Sequence, residues 1–213
     1  MTPKLFDRYL FLKIYLRSLC RSALCRLALA SLVLIGAAAC GPKASSPVPT
    51  ASAVGGDFRL TDTAGRRVDQ SLLRGKWSAV FFGYTYCPDV CPTTLTTLGQ
   101  AMLKLGDKAA RVQVVFITVD PARDTSAQLK TYLAGASFPR GVIGLTGSAA
   151  EIAAVARAYR VYYKKVPDGA TYSMDHTAVI YLMDPRGRFV SPIDPAKSPA
   201  DVADQIARAM ATG

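Results

Sequence analysis

The chain predicts an α/β domain built on parallel βαβ units and preceded by an export segment. Three observations predict it. Two continuous apolar runs, Trp77–Tyr84 and Val112–Val119, have the length and composition of strands buried on both faces. Segments of helical periodicity alternate with them, the order that a parallel sheet requires. A basic, then apolar, then small-residue stretch occupies the first forty of the 213 positions.

The first 26 residues hold Lys4, Arg8, Lys13, Arg17, Arg21 and Arg26 against Asp7 alone, and the apolar run Leu27–Ala39 follows, ending at Cys40. That run is too short for a hydrocarbon core, which needs about 20 residues. Residues 1–39 are therefore read as a signal peptide. Ala37-Ala38-Ala39-Cys40-Gly41 resembles the bacterial lipoprotein signal. The resemblance implies that Cys40 is acylated and anchors the chain to the outer, periplasmic face of a bacterial cytoplasmic membrane without crossing it. Residues 40–56 are nearly all Ala, Ser, Pro, Gly, Val and Thr, too little apolar surface to order itself. They read as a flexible tether with an r.m.s. reach on the order of 20–25 Å.

Residues 57–213 read as one domain. Phe58–Asp62 followed by Ala64-Gly65 predicts a short N-terminal hairpin. Trp77–Tyr84 is the first core strand, with Trp77, Phe81 and Phe82 inside. Leu95, Leu98, Met102 and Leu105 recur at 3-4-3 spacing, one face of a helix. Pro92 suits the first helical position, which puts Cys91 at or near the N-cap. Val112–Val119 is the second core strand. Asp120-Pro121-Ala122-Arg123-Asp124 reads first as a tight turn that caps a helix from Thr125 to Leu133, with a supporting contact to the Cys87/Cys91 site as the alternative.

Val142–Leu145 is a third strand. Ser148, with Glu151 three residues on, is a capping box for a helix to Tyr159. Val161–Lys164 reads as a short extended piece, and a polar loop then runs to Met174. Thr177–Met183 is a strand, Asp184–Gly187 a turn and Phe189-Val190 its returning partner. Ser198-Pro199 starts a last helix with Val202, Ile206 and Met210 on one face. Hairpin, βαβ core and terminal ββα follow the order of a thioredoxin-like domain.

The formal net charge is +11. Without the signal segment twenty basic and fourteen acidic groups remain, about +6, and they are scattered. No dense Lys/Arg block interleaved with aromatics is present, which excludes a nucleic-acid surface. Of the five cysteines, Cys20 and Cys25 fall in the signal segment and Cys40 has the lipid role. Cys87 and Cys91 are the thiols of the mature chain. An oxidising compartment favours their disulfide unless something reduces or metallates them.

Cys87-Pro88-Asp89-Val90-Cys91-Pro92 supplies two thiolates, and His176 is the one imidazole of the chain. In a thioredoxin-like sheet the loop before the Thr177 strand packs against the cysteine loop, so His176 is expected beside both sulfurs. An S₂N donor set suits Cu(I), and Cys₂His with an open position also fits zinc. A plain structural disulfide is unpersuasive, because so short a loop constrains the unfolded chain little. The helix N-terminus is expected to lower the Cys91 pKa. Thiol–disulfide exchange is thus the main rival, and peroxidase chemistry a third option. Asp175 is a candidate carboxylate for orienting the His176 ring. Tyr162–Lys165 and the loop after it form a candidate docking surface, or else cover the core.

Three segments in this order, Gly83–Thr93, Thr118–Thr125 and Asp175–Thr177, resemble the SCO/SenC family of copper-delivery proteins, from about Phe58 onward. The resemblance implies that Cys87, Cys91 and His176 bind one copper ion per chain. It further implies that the ion comes from a copper donor protein and passes to the CuA site of cytochrome c oxidase subunit II. Tyr86 departs from the family, which often has a histidine there, but is not an expected ligand. The alternative is a thiol–disulfide oxidoreductase that uses Cys87 and Cys91 to reduce cysteines of an exported partner.

Overall fold

The computed structural model describes residues 54–212. The signal segment, Cys40 and the tether up to residue 53 lie outside the described residues. Among the described residues no helix is long and apolar enough to cross a membrane. Val54–Gly56, counted with the tether in the sequence, already lie against the domain: Gly55 N–H donates to the Ala158 carbonyl at 2.9 Å.

The strands are β1 (Arg59–Asp62), β2 (Arg67–Asp69), β3 (Trp77–Gly83), β4 (Val112–Thr118), β5 (Ile143–Thr146), β6 (Tyr163–Asp168), β7 (Thr171–His176), β8 (Ile180–Met183) and β9 (Phe189–Ile193). The helices are α1 (Val90–Leu105), α2 (Ser126–Leu133), α3 (Ala149–Ala158) and α4 (Pro199–Thr212). Seven strands form one sheet in the order β2-β1-β5-β4-β3-β8-β9. β3, β4 and β5 are parallel, whereas β1 joins β5, and β8 joins β3, antiparallel. This is a thioredoxin-like domain, with the expected N-terminal hairpin and terminal ββα.

All seven residues of β3 are buried. Val80, Phe81 and Phe82 are wholly inaccessible, each contributing about 1.5–3 kcal/mol by burial. Phe81 stands in register with Phe116 on β4. α4 packs on α1, burying Val202 and Ile206. The capping box at α3 forms as expected: Ser148 Oγ accepts from Glu151 N–H at 3.3 Å and Glu151 Oε2 accepts from Ser148 N–H at 2.8 Å.

Several boundaries differ from the sequence reading, each for a physical reason. α1 begins at Val90 with Asp89 as N-cap, so Cys91 lies inside the first turn and Pro92 is its third residue. Pro92 loses no ladder bond there, because first-turn N–H groups have no intrahelical acceptor. Thr125, rather than Asp124, caps α2, its hydroxyl accepting from Gln128 N–H at 3.2 Å. The polar loop expected up to Met174 is the hairpin β6–β7, a two-stranded sheet of its own. Gly169, at φ 57°, makes its two-residue turn, in the left-handed region that glycine adopts without strain. His176 therefore ends β7, and β8 starts only at Ile180.

β3 ends in a glycine for a steric reason. A Cβ on Gly83 would lie 2.8 Å from Cys91 Sγ and 2.9 Å from Phe116 Cε2. Gly83→Ala is predicted to lower unfolding free energy by about 1–3 kcal/mol through overpacking. Ser148→Ala, which removes only a cap, is predicted to cost about 1 kcal/mol. Urea unfolding of the two variants checks both values.

Candidate metal centre

The centre is built from the turn after β3, the first turn of α1 and the last residue of β7. Parallel pairing of β3 with β4 carries the chain to Gly83, and Val119 N–H donates to the Gly83 carbonyl at 2.8 Å beyond the ladder. The chain then turns: Cys87 N–H donates to the Tyr84 carbonyl at 3.3 Å. α1 starts at once, and Cys91 N–H donates to Cys87 Sγ at 3.4 Å. The free first-turn amide therefore serves the Cys87 sulfur. Cys91 points inward and is fully buried, while Cys87 is half-buried.

Cys91 is not the acidic thiol that its place at the helix N-terminus led one to expect. The Cys91 thiol donating to Cys87 Sγ is the largest influence on Cys87, and the Cys91 and Asp89 amides add to it. Together they outweigh burial and bring the Cys87 pKa down to about 3. The same thiol–thiolate hydrogen bond, reinforced by burial, pushes Cys91 far up. Cys91 lies in the first helical turn, but its side chain faces the core instead of the free N–H groups.

His176 Nε2 lies 3.6 Å from Cys91 Sγ, and one donor atom from each of Cys87, Cys91 and His176 lies within 4.8 Å of the others. The other ring nitrogen, Nδ1, is 3.1 Å from the Thr177 carbonyl. A carbonyl only accepts, so Nδ1 carries the proton and Nε2 turns a lone pair to the sulfurs. Thr177, not the exposed Asp175, thus orients the ring. Tyr84 and Phe81 flank the imidazole edge-on at 5.9 and 6.3 Å between centroids. Cys87 and His176 open onto a cavity of about 520 Å³ that Pro88, Val90, Val166 and Met174 also line. Three donors of this kind, two of them sulfur, fit a soft, thiophilic cation with one coordination position left toward the cavity.

The loop after β4 does more than turn the chain. Asp124, fully buried, accepts from Thr85 N–H at 3.0 Å, Thr85 Oγ1 at 2.7 Å and Thr118 Oγ1 at 2.6 Å. Burial raises its pKa against those three hydrogen bonds. Asp124 therefore pins the turn that carries Cys87 to the end of β4. The sequence favours a helix cap over a contact to the site; the long-range pairing with Thr85 decides for the contact. Tyr162, offered as docking surface or core cover, is 55% exposed, whereas Tyr163 packs partly against the core.

The sequence profile of the SCO1/SenC family matches residues 47–211. Protein SCO1 homolog 1, mitochondrial, of Arabidopsis thaliana is 44% identical over 146 residues, which are 68% of this chain and 43% of that protein. The chain spans about half the length of the curated relatives it matches, 43%, 61% and 46% for three of them. Among solved structures, Bradyrhizobium japonicum ScoI with copper bound is 50% identical with a TM-score of 0.67, covering 73% of this chain and 99% of that one. Arabidopsis thaliana ScoI with copper bound is 40% identical with a TM-score of 0.72, covering 76% and 100%. The match runs through the whole described domain and includes both cysteines and the histidine that the fold gathers, so this chain belongs to the SCO1/SenC family.

Proposed function

We propose that the protein is a copper carrier that takes one ion on Cys87 Sγ, Cys91 Sγ and His176 Nε2. The observation that carries this reading is the gathering of those three donor atoms within 4.8 Å. Two thiolates select Cu(I) over harder cations. The copper-bound structures of relatives that are 50% and 40% identical support the same ion. In this reading a copper donor protein loads the site, and the ion goes to the CuA site of cytochrome c oxidase subunit II during oxidase assembly. A lipid on Cys40 holds the protein at the periplasmic face of a bacterial cytoplasmic membrane, so that donor and recipient meet in one plane.

The geometry supports a transfer route. Cys87 and His176 face the cavity while Cys91 stays buried. An incoming ligand therefore displaces His176 or Cys87 first, and Cys91 holds the ion until a second donor arrives. Cys87 is already a thiolate at neutral pH and His176 offers a lone pair, so Cys91 is the group that must give up a proton on binding.

One observation favours a second reading. A low-pKa, half-buried thiolate beside a shielded thiol is the arrangement of a thiol–disulfide reductant, and the same pair serves both roles.

Copper titration of the reduced chain is predicted to end at one Cu(I), zinc competing weakly, with a loss of roughly a hundredfold or more in His176→Ala. Binding by disulfide exchange alone predicts the opposite: His176→Ala keeps insulin-reducing turnover, Cys87→Ser loses it, and copper affinity barely changes. Because one proton leaves with each ion bound, affinity is predicted to rise roughly tenfold per pH unit near neutrality, read by chelator competition at two pH values. Iodoacetamide is predicted to alkylate one thiol, Cys87, at a rate nearly flat from pH 5 to 8. An ordinary thiol would speed up by roughly a thousandfold over that range.

A further inference from the structure

The hairpin that carries His176 shares no ladder with the main sheet. Beside the metal centre the two are joined by a cluster around Arg123. Arg123 Nε pairs with the Asp120 carboxylate, Nη1 donates to the Tyr172 carbonyl at 3.0 Å, and the Tyr172 hydroxyl donates to Asp120 Oδ1 at 3.0 Å. The guanidinium carbon lies 3.7 Å from the Tyr172 ring centroid and 4.6 Å from that of Tyr86. Both distances are inside the roughly 6 Å reach of a cation–π attraction, which strengthens with desolvation. The Arg123 side chain is only 17% exposed, and its Nη2 is buried with no hydrogen-bond partner among the described residues.

Tyr86 belongs to the cysteine turn. Tyr172 lies on β7, four residues before His176 and on the same strand face. Arg123 thus touches at once the turn that carries the cysteines and the strand that carries His176. Its neighbour Asp124 also holds the cysteine turn, through Thr85.

We propose that Arg123 is a positioning residue for the metal centre: stacked on Tyr86 and Tyr172, it clasps the histidine-bearing hairpin to the cysteine turn and keeps the imidazole within reach of both sulfurs. Without the clasp the thiol pair survives, but ordering the hairpin must come out of the binding free energy. The effect of Arg123 on the metal therefore passes through His176. The metal arm of the test rests on the copper reading above; the metal-free arm does not.

Cu(I) affinity is measured on the intact chain and on Arg123→Ala, His176→Ala and the double variant, by competition with a chromogenic chelator. Arg123→Ala is expected to lose about tenfold to a hundredfold. Added to His176→Ala it is expected to change affinity by no more than about twofold. Unchanged affinity in Arg123→Ala, or full addition of the two losses, overturns the proposal. In the metal-free protein, amide hydrogen exchange over Thr171–His176 is expected to quicken in Arg123→Ala while β3 and β4 keep their protection. Equal protection of the hairpin overturns it. Tyr172→Leu cuts the same contact from the hairpin side, must reproduce both results, and replaces Arg123→Ala if that variant does not fold. Should the intact chain take up no copper, the functional reading falls, and amide exchange alone decides on the clasp.

Discussion

The 3.6 Å approach of His176 Nε2 to Cys91 Sγ requires two pieces of chain that share no backbone ladder to hold a fixed separation. One is the cysteine turn at the end of β3; the other is the separate hairpin β6–β7. Both are referred to the same ruler, the seven-residue loop after β4. Asp124 fastens the first and the Asp120–Arg123 pair fastens the second. Because β4 lies between the parallel strands β3 and β5 and is almost wholly buried, the loop at its end inherits the rigidity of the core. A site on a loop is thereby placed with the accuracy of a strand.

The core also sets the difference between the two sulfurs. Cys91 occupies space that Gly83 leaves by lacking a Cβ, against the Phe116 ring. Low dielectric there disfavours its anion. Cys87 remains at the rim, where the Cys91 thiol and nearby backbone amides favour its charge. One residue type at two depths supplies a ready anion and a protonated reserve. This division suits an ion that must be gripped and released, and it equally suits sulfur exchange.

Much of this was legible in the sequence, and the remainder was hidden for identifiable reasons. β3 and β4 announce themselves as apolar runs, and α3 by its capping box, because burial and local hydrogen bonding leave periodic or short-range signatures. The cysteine pair and the one histidine stood out as a donor set through their chemistry and the order of elements. β6–β7 did not, since most of its residues face water and a strand outside the sheet carries no alternation to read. Its local signs were the extended piece Val161–Lys164, which overlaps the start of β6, and Asp168-Gly169, a turn signal set between polar runs. Asp124 and Arg123 read first as parts of a turn because their partners, Thr85, Tyr86 and Tyr172, are 37 or more residues away and on other elements. The Cys91 acidity was misjudged because backbone position alone does not say where a side chain points.

X-ray absorption at the copper edge of the loaded, reduced protein bears most directly on the claim that one imidazole and two sulfurs grip a single ion. The account predicts a first shell of two sulfur scatterers and one nitrogen, with the nitrogen and its outer-ring scattering gone in His176→Ala. A shell of sulfur alone, or one that His176→Ala leaves unaltered, would contradict it.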